Sequence, residues 1–199
     1  MRIPTYSNRQ IDKIADEFLD NYHPDRTVPV PIDEIVEFDL DLEIVPIPQI
    51  ENLLGVVGYL STDLQTITVD PIHMEKVTTR YRFTLAHEVA HILLHGEYIR
   101  AFAPATIDQW KRLMRETDPE VSTKVEKNTD RLANAILVPC GALETAWDNA
   151  RARALANGLD PDEFDDILLE RLARPIADTF HVNTTSIIFA LRRCGILGY

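Results

Sequence analysis

Cysteine is scarce in this chain of 199 residues, with only Cys140 and Cys194 present. Two thiols exclude the disulfide framework that staples small secreted domains. The opening Met1-Arg2-Ile3-Pro4-Thr5 carries no apolar signal run, so the expected setting is a reducing cytoplasm. No apolar stretch approaches the ~18 residues needed to cross a bilayer, which excludes an expected membrane span. Basic charge is also short: 20 Lys and Arg stand against 32 Asp and Glu, a net charge of −12. Phosphates must be met by a basic face, so direct nucleic-acid binding is disfavoured; solubility or docking to a basic protein suits the sign better. There is no internal repeat or low-complexity tract. The length and 45% hydrophobic content suit one domain, or one with a helical appendage, with a real core.

Ile11, Ile14, Phe18 and Leu19 recur at helical spacing between Asn8 and Tyr22, which predicts an amphipathic first helix. Ile32 to Phe38 suits a short second helix with Pro31 near its first turn. Leu40, Leu42, Ile44 and Ile47 alternate with other residues up to Pro46 and Pro48, as in an edge strand. Leu53–Leu60 and Thr66–Val69 read as a hairpin joined through Ser61-Thr62-Asp63-Leu64. Within it, Gly55 and Gly58 mark a bulge or a close approach of another backbone. From Thr79 to His95 the chain has almost no polar face, which predicts a buried helix stopped by Gly96. Glu97 to Pro119 is polar and reads as a loop, or a loop with a short helix around Trp110–Arg115. A further long helix is expected from about Glu120 to Leu137, ending before Pro139. Ala142 to Leu197 is helical in pattern, punctuated by Asn157-Gly158, Pro161 and Pro175.

The buried helix contains His87-Glu88-Val89-Ala90-His91, an H-E-x-x-H motif. Histidines four residues apart rise one above the other on one helical face, so both imidazoles can meet one metal ion. Zinc takes imidazole nitrogens at about 2.0–2.1 Å, and this spacing supplies two from a single rigid element. Glu88, a quarter turn away, can reach a water on that ion and take its proton during attack on a carbonyl. Two histidines satisfied by backbone carbonyls is the plainer alternative. It would ask many partners of an otherwise apolar helix.

A catalytic zinc needs a third protein ligand and one open position. His95 lies eight residues from His87, ~12 Å along the axis, which places it at the helix dipole or in the cleft rather than on the same ion. Glu97 would need a sharp reversal. Glu126 sits early in the next strong helix, followed at i+4 by Asp130, which can hold a ligand histidine by its second ring nitrogen. From the residues alone, a solvated face beside Lys124, Lys127 and Arg131 explains that pair equally well.

Arg82-Phe83-Thr84-Leu85-Ala86-His87-Glu88-Val89-Ala90-His91-Ile92-Leu93-Leu94-His95, followed by Glu126-x-x-x-Asp130-x-Leu132-Ala133-x-x-Ile136-Leu137-Val138-Pro139, resembles the ImmA/IrrE-type metallopeptidases. The likeness extends upstream through Gly58-Tyr59 and Ile67-x-Val69 and covers roughly residues 28–140. The family's second motif usually reads E-x-x-A-N-x-F-A-x-x-L-L-M-P. This chain departs from it at Thr129, Asp130 and Leu132; Asp130 keeps a short polar acceptor, and the other two are packing changes. The resemblance implies an α+β, zincin-like fold: a small sheet or hairpin over the buried H-E-x-x-H helix, with a helical C-terminal region. It implies one Zn2+ per chain held by His87, His91 and Glu126, Glu88 as general base, and Asp130 behind a ligand histidine. The implied function is a metalloendopeptidase that cleaves a helix-turn-helix repressor carried on a separate chain. The alternative is a zinc-binding anti-repressor or sensor that acts by binding without cutting.

The expected organisation is a peptidase domain over residues 1–140 and a helical C-terminal subdomain over 141–199 packed on the core. Ile176–Ile187 has a short helix-turn-helix pattern in which Asn183 caps the second helix. Arg192 and Arg193 could then touch DNA, but the acidic chain favours a packing role for Phe180, Ile188 and Leu191. His23, His73 and His181 read as surface or packing residues, and Cys140 as a small apolar group. Tyr59, Arg82 and His95 are candidates to line the cleft or steady an oxyanion, with Tyr81 a further polar group nearby.

Overall fold

A computed structural model describes residues 3–50, 56–102, 118–159 and 166–197. It is an α+β fold in which a three-stranded sheet lies over two central helices. Helix α1 (Asn8–Tyr22) opens with a capping box, Ser7 accepting from the Gln10 N–H while the Gln10 side chain returns to Ser7. Ile11, Ala15, Phe18 and Leu19 form its buried stripe. A short helix α2 (Ile32–Glu34) runs on into a π-helical turn over Ile35–Asp39.

Strand β1 (Glu43–Pro46) follows, then β2 (Gly58–Leu60) and β3 (Thr66–Val69). The order is β1-β3-β2: β1 pairs parallel with β3 and β2 pairs antiparallel, as the hairpin pattern requires. Ile67 and Val69 of the central strand are buried, whereas among the described residues β1 and β2 each have a strand partner on one edge alone. The expected strand start at Leu53 and the glycine at Gly55 lie outside the described residues.

After helix α3 (Pro71–Lys76) comes α4 (Thr78–Phe102), 25 residues long. Leu85, Ala86, Val89 and Ala90 are fully buried, as its all-round apolar pattern predicts. Gly96, expected to stop this helix, sits inside it. A Cβ there would stand 3.1 Å from Leu64 Cδ1, so the missing side chain makes room for the hairpin turn. The glycine weakens the helix by about 1 kcal/mol relative to alanine, too little to break a packed element. The short helix expected near Trp110–Arg115 lies outside the described residues.

Helix α5 (Pro119–Leu137) starts from Asp118, which accepts from the Glu120 N–H at 2.9 Å, with Pro119 at the first helical position. It packs along α4 on one side and α1 on the other. Asn128 Oδ1 accepts from the Tyr6 N–H at 3.0 Å, Arg131 donates to Asp12 at 2.7 Å, and the Tyr6 hydroxyl donates to the Leu94 carbonyl at 2.8 Å. These polar ties fix α5 against α4, and with it the carboxylates α5 carries.

Helices α6 (Cys140–Ala156), α7 (Asp166–Phe180) and α8 (Thr184–Arg193) complete the chain. Phe180, Ile187 and Leu191 join the same buried cluster as Ile11, Leu85 and Leu132. Two expectations about this region are corrected, and the disfavoured DNA-contact reading loses one of its two arginines. Cys140 does not pack as a lone apolar group but is bonded to Cys194, with Cα atoms 5.6 Å apart; their sequence separation of 54 hides the pairing in the sequence. Asn183 occupies the N-cap position of α8, yet its side chain accepts from the Thr79 hydroxyl at 3.0 Å instead of capping the helix. Arg193 is unavailable to DNA: its side chain is 3% exposed and donates to the Val138 carbonyl at 2.6 Å and to Asn134 at 3.3 Å. Among the described residues, no helix is long and apolar enough to cross a membrane.

Candidate metal centre

The α4–α5 contact brings three donor side chains to one point. His87 and His91 stand one turn apart on α4, and Glu126 reaches across from α5. One ligand atom from each lies within 4.8 Å of the other two. His87 Nε2 and His91 Nε2 are 3.1 Å apart, and Glu126 Oε2 is 3.4 Å from the first and 3.8 Å from the second. Tetrahedral zinc with bonds of about 2.0–2.1 Å has ligand atoms about 3.3 Å apart. The three separations therefore bracket one triangular face of such a tetrahedron, and the donor set of two imidazoles and a carboxylate suits zinc chemically.

Asp130, one turn beyond Glu126, places Oδ1 3.0 Å from His87 Nδ1. That contact assigns the Nδ1 proton to the Asp130 hydrogen bond, so in the neutral, metal-binding form of the ring the Nε2 lone pair faces the triad. Burial opposes a charged His87, but the Asp130 and Glu126 carboxylates outweigh it and hold the metal-free imidazole up at about 10. His91 goes the other way, down to about 3, through burial and then the neighbouring His87 cation. Glu126 is held low despite its burial, chiefly by its hydrogen bond with His87. The centre thus carries carboxylate charge suited to a divalent cation.

Glu88 points to the sheet side of the same helix. It is 7% exposed, and burial pushes its carboxyl up to about 7, against the pull of His87 and the Leu60 N–H that it accepts. Strand β2 lies directly over it. A Cβ at Gly58 would stand 2.4 Å from Thr84 Cγ2 and 3.0 Å from Glu88 Oε1, so only glycine lets the strand approach this closely. The close approach anticipated at Gly58 is thus to the side chains of α4. Thr84, one turn before Glu88, had no sequence signal of its own beyond that glycine.

A cleft of about 460 Å³ runs between β2 and α4, with His87, Glu88, His91, Glu126 and Asp130 on its floor. Val56, Val57, Phe83 and Ile99 give it an apolar wall, and Tyr59 lines it from the strand. Burial, with Asp63 and Glu88 nearby, holds the Tyr59 hydroxyl protonated above its ordinary range. Two other candidates for the cleft are corrected. Arg82 turns away, donating to the Val30 carbonyl at 2.6 Å and the His181 carbonyl at 3.3 Å, and so clamps α4 to both ends of the chain. His95 is buried behind His91, ring centroids 5.8 Å apart. His95 follows His91 by one turn of α4 and lies against Tyr6, ring centroids 6.2 Å apart, so it is set behind the centre along the helix axis.

Comparison with known families bears on the same segment. Residues 72–189, more than half of the chain, match the peptidase M78 family, described as the IrrE N-terminal-like domain. No curated protein compared with the chain matches it.

Proposed function

Because the chain belongs to the IrrE N-terminal-like family of peptidases, we propose that it is a zinc-dependent endopeptidase acting on an extended segment of a protein. The observation that carries this reading is the triangle of His87, His91 and Glu126 donors, set at zinc spacing beside a buried carboxyl in an apolar cleft. One zinc per chain would supply Lewis acidity and bring a water at its open position towards pKa ~7.

The residues divide the remaining work. Asp130 holds His87 by its Nδ1 proton and keeps the Nε2 lone pair directed inward. Glu88 takes a proton from the attacking water and delivers it to the leaving amine. Its burial raises the proton affinity of the carboxyl, which suits a group that takes up a proton and gives it back. The edge of β2 away from β3 takes the substrate backbone as an added strand across the cleft. Tyr59 on that strand donates its hydroxyl proton to the carbonyl oxygen as charge develops there.

The substrate we propose is a helix-turn-helix repressor on a separate chain. The family resemblance supports it, and the net charge of −12 favours docking on a basic DNA-binding protein. The test is incubation of the zinc-loaded protein with such a repressor, read by mass spectrometry of the fragments. A single new pair of termini, absent with Glu88→Gln, is expected. Release of the repressor from DNA with no cut, undiminished in Glu88→Gln, would instead establish action by binding alone.

A further inference from the structure

The two bonded cysteines occupy helix ends of opposite polarity. Cys140 is the first residue of α6, at the positive end of a 17-residue helix. Cys194 caps the C-terminus of α8, the negative end, with its N–H bonded to the Ala190 carbonyl. Cys140 is exposed and Cys194 half-buried. The asymmetry is reinforced by Arg193, whose Nη1 lies 3.3 Å from Cys140 Sγ while the Val138 carbonyl, at 2.6 Å, holds the guanidinium in place.

Other charges around the pair do not cancel this bias. On α6, Glu144 lies one turn beyond Cys140, exposed to solvent, and on α8 Arg192 precedes the Arg193–Cys194 pair and is exposed. Asp12 of α1 lies 3.8 Å from Arg193 Nη1, but it also engages Arg131 of α5 at 2.7 Å; Asp16 of α1 acts on Arg193 from farther away. The fixed cation nearest the Cys140 sulfur is therefore retained. A thiolate at Cys140 is stabilised by the helix end and the guanidinium, whereas one at Cys194 faces the carbonyl end of its helix. None of these residues lines the metal cleft.

We propose that Cys140 and Cys194 form a thiol–disulfide exchange site for small-molecule disulfides, with Cys140 as the attacking thiolate and Cys194 as the resolving thiol. In the first step Cys140 S⁻ attacks one sulfur of R–S–S–R, forming a mixed disulfide and expelling RS⁻. In the second, Cys194 gives its proton to solvent and attacks Cys140 Sγ, closing the protein bridge and expelling the second RS⁻. The protein loses two electrons and the Cys194 proton, and the small disulfide takes both electrons and leaves as two thiolates, which draw their protons from solvent. Excess thiol drives the same steps backward, with entry at the exposed Cys140 sulfur.

The test uses the full chain, reduced and freed of oxidant. In Cys194→Ser the remaining Cys140 thiolate should titrate a unit or more below the ordinary ~8.5, and Arg193→Gln in that background should raise it. In Cys140→Ser the Cys194 thiol should titrate at or above the ordinary value. Cys140 titrating level with Cys194 or above it would overturn the proposal. Should the variants not fold, brief iodoacetamide labelling of the reduced wild type gives the order directly. A one-unit lower pKa raises the thiolate fraction about tenfold and lowers its intrinsic reactivity about threefold, so Cys140 should label at least about threefold faster. Equal or reversed labelling refutes it. Oxidised glutathione should close the bridge with no glutathione retained; stable adducts on both cysteines would also refute it.

Discussion

Replacing Glu88 by glutamine separates the two roles of a buried carboxyl: moving protons and weakening the metal-free fold. Burial raises the Glu88 pKa to about 7, from an ordinary value near 4.5. A carboxyl whose folded pKa exceeds its unfolded one binds more protons folded than unfolded between those values. Stability of the metal-free protein is therefore lost as pH rises from about 4.5 through 7, and the full penalty remains above 7. A shift of this size corresponds to up to about 3 kcal/mol, at roughly 1.4 kcal/mol per unit. The amide introduced by Glu88→Gln has the shape of the protonated acid and no charge to bury. With chelator at pH 8, Glu88→Gln should melt about 6–12 °C above wild type, for a domain of this size. Near pH 4.5 the two should melt together. The same variant should keep its zinc and lose about 10²–10⁴-fold in peptide hydrolysis. Thermal melts followed by circular dichroism at the two pH values, with a turnover assay at neutral pH, read all three effects. A gap that stays constant or widens on acidification would refute the reasoning, because it could not come from ionising Glu88.

Three further outcomes follow from the geometry. Glu126→Ala should release zinc on dialysis far more readily than His95→Ala, since only the former side chain stands within 4.8 Å of both histidine donors; plasma emission analysis measures the order. Asp130→Ala should weaken zinc binding about 10–100-fold in a competition titration, by freeing the His87 ring. Gly58→Ala should lose activity and about 1–3 kcal/mol of stability, because its Cβ would lie 2.4 Å from Thr84 Cγ2. Thr84→Ser removes that methyl and should restore much of both, as denaturation and turnover of the double variant will show.

What could be read from the sequence follows the range of the interactions concerned. The spans of α1 and α5 rest on local periodicity and caps and lie where the pattern placed them, whereas α4 runs past Gly96 into the expected loop as far as Phe102, and β2 covers only Gly58–Leu60 of its expected run. The convergence of His87 and His91 is likewise local, a property of one helix turn. Glu126 was ambiguous by spacing alone, because a carboxylate facing a metal and one facing solvent look alike in a helical repeat. Three features were not legible. The Arg82 and Arg193 side chains end on backbone carbonyls of Val30, His181 and Val138, acceptors that every residue possesses and no sequence marks. The Cys140–Cys194 bond depends on the α7–α8 hairpin returning the chain to the start of α6. At Gly96 the stop signal was overridden by packing against Leu64.

X-ray absorption at the zinc edge of the zinc-loaded protein tests the central claim most directly. The account predicts one ion per chain with nitrogen and oxygen neighbours at about 2.0–2.1 Å, an imidazole signature reduced by half in His91→Ala, and no sulfur in the shell. A sulfur neighbour near 2.3 Å, or a shell unchanged by replacing His91, would contradict it.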